Sequence, residues 1–185
     1  MVSLAALWLP IVLSAVFVFI ASSIMHTVLK YHQRDCHKLS DEASFLAALR
    51  ANNPVRGLYI FPFCAPKDMK SPEMVEKYTQ GPVGMMTIVP SGPPVMPKFL
   101  GQWFLFCLIV AFFSAYLAAH TVAPGSSYLA VFRVVGTVAF MAYGLGNLSN
   151  GIWKMQTWSM TIKEVLDGLV YGLLTAGTFG WLWPR

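Results

Sequence analysis

Imidazole, carboxylate and thiol groups crowd into one short stretch of this chain, His26 to Glu42, which reads HTVLKYHQRDCHKLSDE. It holds three of the four histidines, one of the three cysteines and three of the eight acidic residues, so any chemistry is expected to start there. If a helix runs through it, His32, Asp35 and Cys36 stand at i, i+3 and i+4 on one face, with His37 at its edge. Imidazole, carboxylate and thiolate are competent ligands for zinc or copper. The spacing matches no established zinc signature. The competing reading is a solvated turn in which Lys30, Arg34 and Lys38 meet lipid headgroups.

The remaining candidates are scattered. Met69, Met74, Met85, Met86 and Met96 are dense enough to raise Cu(I) binding by thioethers, but they form no repeated copper motif, and methionine commonly fills irregular apolar gaps. Cys64 has no redox partner nearby in sequence, Cys107 sits in an apolar run, and an odd cysteine count without a C-x-x-C pair is no disulfide framework. No nucleophile elbow, H-E-x-x-H or phosphate-binding glycine loop is present, so the chain shows no catalytic signature.

The elements that must position these groups are set by hydropathy. Of 185 residues, 56% are hydrophobic and 11% are charged, against roughly 25% charged in soluble domains. Residues 4–29 form an apolar run with no cationic leader, too long for a cleaved signal peptide and long enough to span a bilayer. Three further spans are predicted at 99–119, 127–148 and 162–183, the first two joined by a Pro-Gly turn that makes them antiparallel neighbours. A polar segment, 30–98, separates the first two spans. The predicted fold is therefore a mainly α membrane protein, four transmembrane helices with a small cytoplasmic α/β cap.

Charge sets the expected orientation. Nine of the thirteen Lys and Arg residues lie between Lys30 and Lys98. By the positive-inside rule this places the cap in the cytoplasm and both termini outside. Trp8, Trp181 and Trp183 fall at one end of such a bundle and Trp103, Trp153 and Trp158 at the other, as two interfacial belts would. The net charge of +5 suits anionic lipid; without a recognition motif or a dense basic stripe, nucleic acid is not expected as a partner.

Within the cap, Ser40 is expected to cap a helix over 41–51 that Asn52-Asn53-Pro54 stops. Gly57–Phe61 and Met85–Val89 read as strands, paired either through a β-α-β unit or antiparallel. Ser71-Pro72-Glu73 opens a second helix, which Gly81 ends.

Inside the spans, Arg133 is the one deep charge, about a turn and a half from its helix end and able to snorkel. Asp167 belongs to the opposite end of the bundle, so the two are not expected to pair. Lys163 and Asp167, at i and i+4, are expected to face each other. Gly168, Gly172, Ala176 and Gly180 make a small-residue stripe at a spacing of four, for close helix packing within the bundle or against another chain.

Several segments together carry a resemblance. They are the H-x-x-D-x-x-K-L-x-D-E run (His32, Asp35, Lys38, Leu39, Asp41, Glu42), G-x-Y-x-F-P at Gly57 to Pro62, Ser71-Pro72-Glu73, Gly81-Pro82-Val83, and the terminal stretch from Asp167 to Pro184. With the charge-free first span, they resemble an uncharacterised family of small multi-spanning bacterial membrane proteins. The resemblance implies the fold and a bacterial inner-membrane location, and it implies no activity.

Three functional readings follow. The first is a non-enzymatic accessory subunit of a larger membrane complex, or a homo-oligomer, supported by the glycine stripe. The second is a metal-binding, redox-associated protein using His32, Asp35, Cys36 and His37 with copper or zinc. The third is a small-molecule carrier using Arg133, Tyr143 and Asn147.

Overall fold

The computed structural model describes residues 1–185, which divide into two compact units: Met1–His37 with Val95–Arg185, and Lys38–Pro94.

The first unit is helical. A 3₁₀ turn at Leu4–Leu7 leads into α1, Trp8–Thr27, and the chain then makes a second 3₁₀ turn at Tyr31–Asp35. The second unit runs α2 (Glu42–Ala51), β1 (Gly57–Phe61), α3 (Pro72–Gln80) and β2 (Gly84–Ile88). The chain returns to the first unit with α4 (Met96–Thr121), α5 (Tyr128–Tyr143), the short α6 (Leu148–Trp153) and α7 (Trp158–Trp181).

Three helical stretches, Leu4–Thr27, Met96–Thr121 and Tyr128–Trp153, are long and apolar enough to cross a membrane. The fourth expected span, 162–183, is not among them. Its helix α7 starts earlier, with Thr157 as its cap, and carries Lys163, Glu164 and Asp167 in its first three turns. The segment expected as a single helix over 127–148 also differs. α5 ends at Tyr143, and Gly144 opens a 3₁₀ turn before α6. Gly144 and Gly146 favour such a break, and the backbone of α7 passes so close to Gly144 that Gly168 could not carry a Cβ there.

The helices alternate in direction. Val2 N–H donates to Ala119 O near the start of α1 and the end of α4, and Gly125 N–H donates to Pro184 O beside the end of α7. Two apolar clusters fill the interior. One joins Leu7, Ala115, Ala118, Val131, Val135 and Phe179; the other joins Ala15, Val18, Cys107, Ala139, Tyr143 and Tyr171. Alanine lines the buried face of α4 at positions 111, 115, 118 and 119. Small side chains let backbones approach, which is how helices gain packing energy where the solvent is itself apolar. The outer faces carry Phe17, Ile20, Ile109, Phe113, Leu117, Leu166 and Leu173, all exposed. So continuous an apolar exterior suits lipid as the surrounding medium.

The glycine stripe is used inside this unit. Cβ atoms at Gly172 and Gly180 would meet Phe140 N at 3.1 Å and Tyr128 Cδ2 at 2.7 Å, and Ala176 Cβ lies 3.0 Å from where a Cβ on Gly136 would stand. The stripe packs α7 onto α5 of the same chain, so it supplies no reason to expect an oligomer.

In the second unit, β1 and β2 pair antiparallel, with Gly57 opposite Ile88 and Phe61 opposite Gly84. Asp41, rather than Ser40, caps α2, its carboxylate accepting Ser44 N–H at 3.1 Å. Hydrogen bonding from the Ser44 side chain, then from its backbone N–H, holds the Asp41 carboxyl below the usual carboxylate range. Ser71 caps α3 and accepts from Met74 N–H. Met74 is buried, Met85 and Met86 are half-buried and Met69 is exposed, so burial differs from one methionine to the next.

A candidate metal centre at the end of α1

The stretch singled out by its residue types does not continue as α-helix. α1 closes with Val28 and Leu29 N–H both donating to Ile24 O, and Lys30 adopts the left-handed conformation at φ 47°. The 3₁₀ turn that follows changes which side chains meet. With three residues per turn, i and i+3 eclipse, and His32 Nδ1 comes within 3.3 Å of Asp35 Oδ2. The i+4 position is lost. Cys36 is extended at φ −104°, ψ 128°, and both Cys36 and His37 are exposed. The expected set of His32, Asp35, Cys36 and His37 is therefore replaced by a different one.

α7 completes that set. Asp167, only 4% exposed, accepts from His32 Nε2 at 2.8 Å and from the Tyr31 hydroxyl. From the last turn of α1, His26 Nε2 stands 3.9 Å from the same Oδ2 of Asp167. The His26 and His32 rings stack, 4.7 Å between centroids and 10° from parallel. His26, His32 and Asp167 thus each offer one ligand-type atom, and the three atoms lie within 4.8 Å of one another.

The outer contacts fix these groups as a metal would require. His26 Nδ1 lies 2.9 Å from Ser22 O, a carbonyl that only accepts, so Nδ1 carries a proton. His26 Nε2 stands 3.9 Å from Asp167 Oδ2, beyond hydrogen-bond distance, and that oxygen already accepts from His32 Nε2. His32 Nδ1 is held by Asp35, and the second oxygen of Asp167 is held by Tyr31. Metal-bound histidines characteristically give their other nitrogen to a carbonyl or carboxylate, and bound carboxylates are themselves hydrogen-bonded.

Lys163 departs from expectation. Its ammonium turns away from Asp167, donating to Asp35 Oδ1 at 2.6 Å and to Tyr31 O at 3.0 Å. A buried carboxylate and a backbone carbonyl together satisfy two of its donors, whereas Asp167 is already taken by Tyr31 and His32. The Lys163 hydrogen bond holds the Asp35 carboxyl below the usual carboxylate range. Burial, then the hydrogen bond to Asp167, push the Tyr31 phenol up, keeping it a donor.

The other expected site residues lie apart from this cluster. Arg133 is exposed on α5 and makes no ion pair, with Asp167 or any other acid. Tyr143 lies buried with its hydroxyl 3.4 Å from Cys107 O, and Asn147 Nδ2 donates to Tyr143 O. These contacts are local to the bundle and do not join Arg133 in a polar pathway. Cys64 is half-buried, its thiol directed at Ala65 O. Lys30 and Arg34 line an open basic hollow with Lys163, and Lys38 begins the second unit. Two members of this cluster were missed by the reading of residue spacing: His26, one turn inside the apolar run, and Asp167, the last acid of α7.

The chain matches no family model, no curated protein and no solved structure.

Proposed function

We propose that the protein is a multi-pass membrane protein that binds a transition-metal ion, zinc foremost and copper second, through His26, His32 and Asp167. The carrying observation is the cluster itself: ligand-type atoms of His26, His32 and Asp167 lie within 4.8 Å of one another, with His26 Nε2 3.9 Å and His32 Nε2 2.8 Å from Asp167 Oδ2. Two imidazoles and a carboxylate suit zinc, three protein ligands leave a position open for water or substrate, and no thiolate is present to favour Cu(I). The metal would replace the proton between His32 Nε2 and Asp167 Oδ2, so binding would release protons.

In this reading α7 is a fourth span. Its 24 residues reach about 36 Å, its charges sit in the first turns, and Gly168 to Trp181 carries none. Lys30, Arg34 and Lys163 gather at the end of the bundle where the metal site lies, which supports a cytoplasmic site and cap, with both termini outside, in a bacterial inner membrane.

The test is metal analysis of protein extracted in mild detergent and then titrated with zinc. A single equivalent, lost in His26→Ala and Asp167→Asn and kept in Cys36→Ser and His37→Ala, is the expected result. Wild-type protein that neither carries nor takes up metal would overturn the reading.

A further inference from the structure

A groove of about 290 Å³ runs between α5 and α7, away from the His/Asp cluster. Its floor is Gly136 and Gly172, and its walls include Phe132, Phe140, Leu169 and Leu173. Along α5 the order is Phe132 and Arg133 nearest the helix start, then Gly136, then Phe140 deeper in. Because α7 runs the other way, Leu173 precedes Leu169 in the same direction. The groove is therefore apolar along its length and cationic at one end. Thr137, its one hydroxyl, is spent on Arg133 O at 2.7 Å.

Arg133 has no counter-ion within the chain. The helical unit of a second copy in the same orientation offers no acidic side chain at that end either. The acids of the helical unit, Asp35, Glu164 and Asp167, all lie at the opposite end of the bundle. An arginine about 9 Å from its helix start is costly to leave bare at the edge of a hydrocarbon layer. The anion available at that depth is a lipid phosphate, which guanidinium binds with two parallel hydrogen bonds.

We infer that this groove is a binding site for an anionic glycerophospholipid, one acyl chain lying over Gly136 and Gly172 and the phosphate resting on Arg133. The inference rests on α5 and α7 lying in a bilayer and is independent of the metal site.

The full-length protein would be reconstituted with equal parts phosphatidylglycerol and phosphatidylcholine, released gently, and weighed with its retained lipid by native mass spectrometry. Phosphatidylglycerol is expected to be retained over phosphatidylcholine by about fivefold, the worth of one basic residue at a charged lipid surface. Arg133→Gln should abolish the preference. Thr137→Trp, which fills the groove from an exposed position, should strip both lipids while Arg133 remains; it serves as the second variant should Arg133→Gln fail to insert. Equal retention of the two lipids by wild type would overturn the inference, as would a preference that survives Arg133→Gln. So would a dimer that dissociates in Arg133→Gln, because a second copy would then cover the groove. Recovery in the soluble fraction without detergent would instead overturn the membrane reading, and the lipid site with it; loss of metal alone would leave the lipid site standing.

Discussion

His32 Nε2 lies 2.8 Å from Asp167 Oδ2, although 135 residues separate them. The bond ties the turn after the first helix to the last helix, and its two atoms are the ones a metal would use. Asp167→Asn keeps the shape but replaces one carboxylate oxygen with an amide nitrogen that cannot ligate. Zinc affinity, followed by competition with a chromophoric chelator, should fall by more than about 100-fold, beyond the range typical of outer-shell changes.

Tyr31 and Asp35 hold the ligands without being ligands themselves. Tyr31→Phe frees one oxygen of Asp167, and Asp35→Asn weakens the hold on His32 Nδ1. Each should lower zinc affinity about 10- to 100-fold while leaving the stoichiometry unchanged. Lost stoichiometry in either variant would make that residue a ligand.

The clasp between the 3₁₀ turn and α7 has a pH window with two edges. Asp35 is held below the usual carboxylate range by Lys163, so its contribution is complete above about pH 4 and is lost as pH falls through its lowered value. Tyr31 is raised by burial and by Asp167, so its contribution is complete below about pH 10 and is lost as pH rises through its raised value. Metal-free protein should lose hydrogen-exchange protection of residues 31–35 as pH falls below about 4 and again as it rises above about 10. Protection unchanged through either edge would contradict the assignment of that partner.

Two glycines separate packing from propensity. A Cβ on Gly168 would strike Gly144 Cα and come within 2.6 Å of the Tyr143 carbonyl carbon, backbone that cannot swing aside. Gly168→Ala should cost roughly 1–3 kcal/mol or abolish folding. Gly101, on α4, has nothing within 4 Å of the same position, so Gly101→Ala should be neutral or gain up to about 1 kcal/mol in helix propensity. Thermal unfolding in one detergent measures both.

Tyr171, one turn along α7 from Asp167, is buried, and its hydroxyl meets no hydrogen-bond partner in the protein. Its ring packs against Trp103 and Tyr143 at 6.0 and 5.6 Å. Tyr171→Phe keeps that packing and removes an unsatisfied group whose burial costs about 1–3 kcal/mol. The melting temperature should rise or stay level. A clear fall would show that the hydroxyl is used.

The amino-acid sequence alone determined the long apolar helices, the strand at Gly57–Phe61 and the helix opened by Ser71-Pro72. Hydropathy over twenty residues, a capping side chain and a proline at the first helical position act within a few residues of where they stand. It also marked His32 and Asp35 as groups able to do chemistry. Tertiary structure decided the rest. Whether residues 31–36 wind as α or 3₁₀ is nearly neutral locally, and docking of Tyr31, His32 and Asp35 onto Lys163 and Asp167 selects the tighter turn. That choice keeps Asp35 beside His32 and turns Cys36 out to solvent. Lys163 and Asp167 are spaced to pair along their own helix, yet each finds a stronger partner from the other end of the chain. Spacing along one helix ranks only local partners; which distant segment arrives to compete is fixed when the helices pack.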